Sequence, residues 1–352
     1  MAEKYNGVFT LQWHITHRCN LRCKHCYQDD YSSFETRADM ERVLDQFTEL
    51  LRTYNRKGQL NITGGEPLTH PDLFWLLKQA KERNISTGVL TNGTLISPRE
   101  ARLFRACRVS YVQVSLDGCE KTHDEIRGSG SFDKAVRGIN ALKSQGLFTS
   151  ISFTAQSGNY RELKKLARCC ESLSADKLWF DRVIIPKNED TKNLSLDSSQ
   201  FHSLIKTAAR LNRQGRVFCG RSLQFIPCKN KNIYRCSAGD SLLILLADGT
   251  VMPCRRLPLT LGNVRDNSLL ELYRDSQIMH DLRACPIPKE CAGCKYAEAC
   301  RGGAKCVTYA RAGRYDLPDP DCPLIKNKNI AQNRRCFLLW KLFGHLCEHV
   351  RG

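Results

Sequence analysis

The chain reads as an α/β protein, an open, partial (β/α)6 TIM-like barrel followed by a small cysteine-rich α+β domain. Three observations predict this. Six β-rich runs, each followed by a run with helical spacing, fill residues 1–215. At 352 residues the chain exceeds one small core, which predicts one large domain of roughly 200–250 residues plus a smaller one. The 19 cysteines are bunched, with three between Cys19 and Cys26, six in the long middle and ten from Cys236 to Cys347. These observations place the barrel at 1–215 and a linker at 216–235, where Arg and Lys gather. The cysteine-rich domain follows at 236–325, and a basic linker with an apolar C-terminal helix at 326–352.

The elements follow in order. Val8–Ile15 is a short β-rich run, and Met40, Val43, Leu44, Phe47, Leu50 and Leu51 then recur at helical spacing over Thr36–Leu51. Leu60–Ile62 is the second strand, and Pro71–Arg83 is a helix presenting Leu73, Phe74, Leu76 and Leu77. Ser86–Leu90, Tyr111–Ser115, Phe148–Thr154 and Leu178–Val183 complete the strands. Pro98–Cys107, Phe132–Ser144 and Tyr160–Ser172 are the helices between them, and Asp197–Arg213 follows the last strand. Strand-then-helix units in series predict parallel neighbours, because such strands need crossover connections. Six units fall two short of a closed barrel and leave an opening suited to a large substrate. Further on, Asp248 and Gly249 predict a hairpin turn between Leu242–Leu246 and Thr250–Met252.

Composition narrows the class. The chain is 41% hydrophobic and 26% charged, and no apolar run reaches the roughly eighteen residues a spanning helix needs. Met1–Thr10 has no apolar core of a secretory signal, so a cytoplasmic location is expected. In that compartment so many thiols read as metal ligands rather than disulfides. The net charge of +18 favours acidic partners: nucleic acid, a membrane surface or an acidic peptide.

Cys19, Cys23 and Cys26 are spaced by three and two residues just after the first strand. Chance gives about 0.05 such matches in a chain of this cysteine content. Three thiolates on one loop hold three irons of a 4Fe–4S cluster and leave the fourth open to a substrate or cofactor. The same thiols completed by His17 or His25 also fit zinc. Polar residues then stand at successive strand ends: Gly64, Gly65, Glu66 and Pro67, next Thr91, Asn92 and Gly93, next Ser115, Asp117 and Gly118. Barrel enzymes keep their chemistry at this end of the strands.

On these residues the segment from about 8 to 215 resembles radical S-adenosylmethionine (radical SAM) enzymes. The resemblance implies that Cys19, Cys23 and Cys26 ligate a catalytic 4Fe–4S cluster whose open iron chelates SAM. It further implies that Glu66 and the Gly64–Gly65 backbone, followed by Pro67, meet the methionine amine. Asn92, Ser115 and Asp117 would lie near ribose and sulfonium, and Arg127 would pair with the SAM carboxylate. His25 and Tyr27 would flank the adenine, with Ile184 or Ile185 on its other face. An electron donor such as flavodoxin or ferredoxin is also implied.

Paired thiols recur at Cys291, Cys294 and Cys300, followed by Cys306 and Cys322, a pattern equally at home in structural zinc. Together with the triad, residues 236–323 resemble the SPASM domain, which carries auxiliary iron–sulfur clusters. The likeness implies one auxiliary cluster on Cys291, Cys294, Cys300 and Cys322, and a second on Cys236, Cys254 and Cys306. Two departures stand out. Five residues separate Cys300 from Cys306 where the usual pattern has three, and the second set lacks a fourth thiol, for which Cys228 and Cys285 are candidates.

SPASM-bearing enzymes mostly modify peptides or proteins, which implies a peptide maturase acting on a ribosomally made precursor. Sulfatase maturases generally place an aspartate base after the cysteine that Cys254 matches; here Arg255 and Arg256 follow, and a guanidinium takes no proton at neutral pH. The first strand begins near Val8, so leader recognition is expected to fall to a separate leader-binding protein. A haem-type decarboxylase is the alternative, since propionates would suit Arg255 and Arg256. A zinc-stabilised nucleic-acid binder is the third reading, although the basic residues are scattered rather than striped. Cys119, beside the Ser115–Gly118 turn, is a candidate to return hydrogen to a substrate radical. Cys336–Val350 reads as an apolar helix too short to span a bilayer.

Overall fold

The computed structural model describes residues 7–28, 30–31, 36–184, 193–228 and 233–325. Six parallel strands form the body: β1 (Val8–His14), β2 (Lys57–Thr63), β3 (Ser86–Thr91), β4 (Tyr111–Ser115), β5 (Thr149–Ala155) and β6 (Lys177–Arg182). They lie side by side in chain order, β1 to β6, each crossing over through at least one helix, as the sequence predicts for a partial barrel.

Local chemistry explains the helices. Thr36 caps the Arg37–Thr53 helix, accepting from the Asp39 amide while Asp39 reaches back. Ser97 with Glu100 and Asp197 with Gln200 build the same capping box before Pro98–Ala106 and Ser198–Asn212. The Tyr160–Ser172 run divides into a short 3-10 turn, Tyr160–Glu162, and a helix, Leu163–Ser172. A helix at Glu120–Arg127 goes beyond the sequence prediction; with buried faces at only His123 and Arg127, it lacks an apolar stripe to announce it.

β1, β2, β4 and β6 alternate, whereas β3 and β5 are buried along most of their length. Leu11, Trp13, Leu60, Ile62, Val112, Val114, Ile151, Phe153, Leu178 and Phe180 are closed from solvent and join the core shared with the helices. The intervening Gln12, Gln59, Asn61, Tyr111, Gln113, Trp179 and Asp181 face the other way, half-buried. They bond to one another: Gln59 Nε2 to Asn61 Oδ1 at 3.0 Å, the Tyr111 hydroxyl to Asn61 Oδ1 at 2.6 Å, and Trp179 Nε1 to Gln113 Oε1 at 3.1 Å. The inner face of the open barrel is therefore polar.

The C-terminal hairpin, β7 (Leu242–Leu245) and β8 (Thr250–Met252), forms where the turn predicted it. Its placement is new. β7 runs parallel to β1, with Leu11 opposite Leu243, and β8 pairs onward with β9 (Gly262–Asn263). The cysteine-rich region thus extends the barrel sheet to nine strands and covers the edge that β1 would expose. Among the described residues no helix is long and apolar enough to cross a membrane. Residues 326–352, including the apolar run Cys336–Val350, lie outside the described residues.

Candidate active site

The triad loop leaves β1 and is clamped by polar residues at the ends of neighbouring strands. Gly65 N donates to Thr16 O and Glu66 N to Arg18 O, both at 2.8 Å. A Cβ on Gly65 would lie 2.3 Å from Arg18 O, and one on Gly64, whose φ is +153°, 2.4 Å from Thr16 O. Only glycine permits this approach. The two glycines therefore seat the loop itself. Asn92 donates through Nδ2 to Asn20 Oδ1, and Asn20 returns a bond to Thr94 Oγ1, both at 2.9 Å.

Glu66 is fully buried beside Pro67. Oε1 accepts from Thr91 Oγ1 at 2.7 Å and Leu68 N at 3.2 Å, and Oε2 from Asn92 N at 2.8 Å. Burial pushes its pKa up to about 7, although the three hydrogen bonds pull the other way.

Asp117 is also fully buried. Oδ2 pairs with Arg127 Nε at 2.6 Å and lies 3.6 Å from His25 Nε2, while Oδ1 accepts from Thr154 N at 2.8 Å. Burial opposes ionisation, yet Arg127 and His25 hold the carboxyl below its usual range. Arg127, rather than standing open to a carboxylate, reaches Cys23 Sγ with Nη1 at 3.8 Å. A guanidinium there offsets the charge of a thiolate or of a cluster bound to it. His25 takes Gln156 Nε2 on its other nitrogen at 3.1 Å, and burial lowers its pKa to about 4, so it is neutral at pH 7. His17 Nδ1 faces Asp30 Oδ2 at 3.4 Å. Neither histidine turns to the thiols, and no three His, Cys, Asp or Glu side chains among the described residues are grouped to hold a single metal ion.

Cys26 is exposed, and Cys19 and Cys23 are partly so. Burial pushes Cys23 to about 11, with Cys26 and Cys19 adding to the rise, so the three thiols share one field. Sulfur donors alone, one of them backed by Arg127 and one open to solvent, fit a 4Fe–4S cluster with an accessible iron. Tyr27, next in the chain, lies beneath the Arg255 guanidinium, whose Cζ is 4.0 Å from the ring centroid. Ser115 is half-buried at the end of β4, Ile184 is half-buried just past β6, and Ile185 lies outside the described residues. Cys119 is half-buried at the start of the Glu120–Arg127 helix, where burial and the neighbouring Glu162 raise its pKa.

The C-terminal thiols gather into the two expected sets. Cys291, Cys294, Cys300 and Cys322 line one cavity with Leu223, Phe225 and other apolar residues. That sulfur-only, water-poor lining fits an iron–sulfur cluster. Cys254 and Cys306 hydrogen-bond; this bond, against burial and with help from Arg256, lowers Cys254 to about 6. Cys236 lies in the same field, so the unusual spacing of Cys306 does not keep it away. Neither fourth-ligand candidate joins them. Cys228 bonds to Cys219, and Cys285 Sγ turns to Pro286 O at 3.8 Å.

Residues missed in the sequence also shape the site. Gln156 orients His25, and Asn159 Nδ2 donates to Asp117 O at 3.0 Å. Gln156 directly follows β5, so the strand-end rule that found Glu66 and Asn92 would have found it too. Arg182, at the end of β6, is buried between Asp319 and Asp321 and ties the barrel to the segment carrying Cys322.

Comparison with known proteins agrees with this geometry. Residues 13–170 match the radical SAM superfamily model, and residues 236–295 match that of the SPASM iron–sulfur cluster-binding domain. The AdoMet-dependent heme synthase of Oleidesulfovibrio alaskensis is 27% identical over 92% of this chain and 89% of its own. The mycofactocin maturase MftC of Mycolicibacterium smegmatis is 27% identical over 89% of this chain and 82% of its own. SuiB of Streptococcus suis bound to S-adenosylmethionine superposes with a TM-score of 0.73 at 18% identity, covering 90% of this chain and 77% of that one. Native anSMEcpe with bound AdoMet and a peptide gives 0.74 at 20% identity, covering 96% and 99%. These two likenesses establish the fold. With a thiol triad at the mouth of a partial barrel and two further thiol sets beyond it, the chain belongs to the radical SAM superfamily, as an enzyme that uses SAM and a 4Fe–4S cluster and carries auxiliary clusters in a SPASM domain.

Proposed function

We propose that the enzyme removes hydrogen from a residue of a ribosomally synthesised precursor peptide, in the cytoplasm. Cys19, Cys23 and Cys26 hold the catalytic cluster, and the two C-terminal sets hold auxiliary clusters. When bound, the cluster and SAM supply a 5′-deoxyadenosyl radical able to take hydrogen from an unactivated carbon. The protein's part is positional. Arg127, braced by Asp117, steadies Cys23; Glu66 and Asn92 hold the turns that frame the loop; neutral His25 and Tyr27 form the rim where a nucleoside would lie.

The observation that carries the peptide reading is the polar inner face from Gln12 to Asp181, which offers an extended chain hydrogen-bonding partners. The maturase among the relatives supports it. A separate leader-binding protein and a flavodoxin or ferredoxin complete the reading. Arg221 and Arg256 acting on the single carboxylate of Asp181, with Arg255 beside Tyr27, favour a second reading, a carboxylate-bearing tetrapyrrole, which the heme synthase relatives also support.

The test is anaerobic reconstitution, then SAM and dithionite with either the short peptides encoded beside the gene or coproporphyrin. Release of 5′-deoxyadenosine with a peptide mass change is the expected result. Loss of carboxyl groups from the porphyrin alone would replace the first reading by the second, and no deoxyadenosine under any condition would end both.

A further inference from the structure

Arg255 and Arg256 are neighbours with opposite circumstances. Arg256 Nη1 is committed to Asp181 Oδ2 at 2.7 Å. Arg255 has no carboxylate partner among the described residues, and its Nε is closed from solvent with no hydrogen-bond partner there. It is held instead by stacking on Tyr27. Through Tyr27 it adjoins Cys26 of the triad, and through the chain it adjoins Cys254 of the Cys236–Cys254–Cys306 set. Its charge is felt at buried His14 on the inner face of β1.

Arg255 is half-buried as a whole, but an Nε donor shut from water and unfilled is costly unless a ligand completes it. Stacking on an aromatic ring fixes the plane of the fork while leaving its edge free, the arrangement suited to an anionic oxygen pair. We propose that Arg255 anchors a carboxylate of the substrate between the catalytic cluster site and the Cys236–Cys254–Cys306 set. This deepens the proposed function and rests on it. The carboxylate belongs to an acidic peptide side chain or to a propionate, and the recognition chemistry is the same.

The test is equilibrium binding to the anaerobically reconstituted holoenzyme at low salt, with three probes: coproporphyrin III, a hexaglutamate peptide and a hexaglutamine peptide. The wild type is expected to bind at least one carboxylate probe and to ignore hexaglutamine. Arg255→Gln should weaken that binding by about 10-fold or more, as expected for a charged hydrogen bond lost. Arg255→Lys, which keeps the charge and the stem, should recover part of it and guards against a folding defect in the first variant. Which probe binds tells peptide from propionate. Equal binding in wild type and Arg255→Gln, or no carboxylate binding in the wild type, overturns the assignment. Failure of the radical reading looks different: wild-type holoenzyme that releases no 5′-deoxyadenosine.

Discussion

The triad and the C-terminal thiol sets use the same side chain in opposite settings. Cys26 is exposed, on a loop held by bonds to neighbouring elements, such as Lys24 N to Ile126 O of the Glu120–Arg127 helix at 2.9 Å. Cys291, Cys300 and Cys306 are buried, among short helices and an apolar lining. The first site is built for access and the others for enclosure. The difference teaches that ligand type alone does not set a metal site's role; the fold's choice of what to leave open does.

Four measurements would break or sharpen this contrast, taken from the largest effect down. Arg182→Met leaves Asp319 buried without its cation and Asp321 with only Arg311 at 3.6 Å, which should cost about 3–5 kcal/mol. A denaturant midpoint barely moved would show that the enclosed sites do not depend on that fork.

Glu66 gives a pH signature on the access side. Its folded pKa of about 7 lies above the unfolded value near 4.5, so the folded chain holds the proton more tightly. Its contribution is full below 4.5 and falls as pH rises through 7, by roughly 3 kcal/mol in the metal-free chain. Subtracting Glu66→Gln stability from wild type at each pH isolates this slope from the histidines, and a flat difference contradicts it.

Next, Arg127→Lys should weaken retention of triad iron against a chelator by about 10–100-fold, the usual effect of losing an outer-shell partner. Retention equal to wild type would mean that the contact to Cys23 is incidental. Smallest of all, Cys119→Ala should change stability by no more than about 0.5 kcal/mol and leave the product unaltered, since the thiol is half-buried with Glu162 as its hydrogen-bond partner. A changed product would restore its expected part in hydrogen return.

Much was legible beforehand. The strand–helix rhythm came from apolar spacing, and the cysteine sets came from their own intervals. Glu66, Asn92 and Arg127 were found, but their partners were not. Asp117 lies ten residues from Arg127 and 37 from Thr154, and only the close approach of β4 and β5 makes it a buried brace. The free Arg255 and the committed Arg256 look alike in the chain; Asp181, on β6, separates them.

The sequence by itself determined the donors, the secondary structure and the partition into an open barrel and a thiol-rich extension, because spacing and periodicity act over a few residues. Tertiary structure alone decided that β7 joins β1, that Gly65 lies against Arg18, and which charges are paired or left waiting. Those outcomes depend on contacts between distant segments, whose closure no local interval encodes.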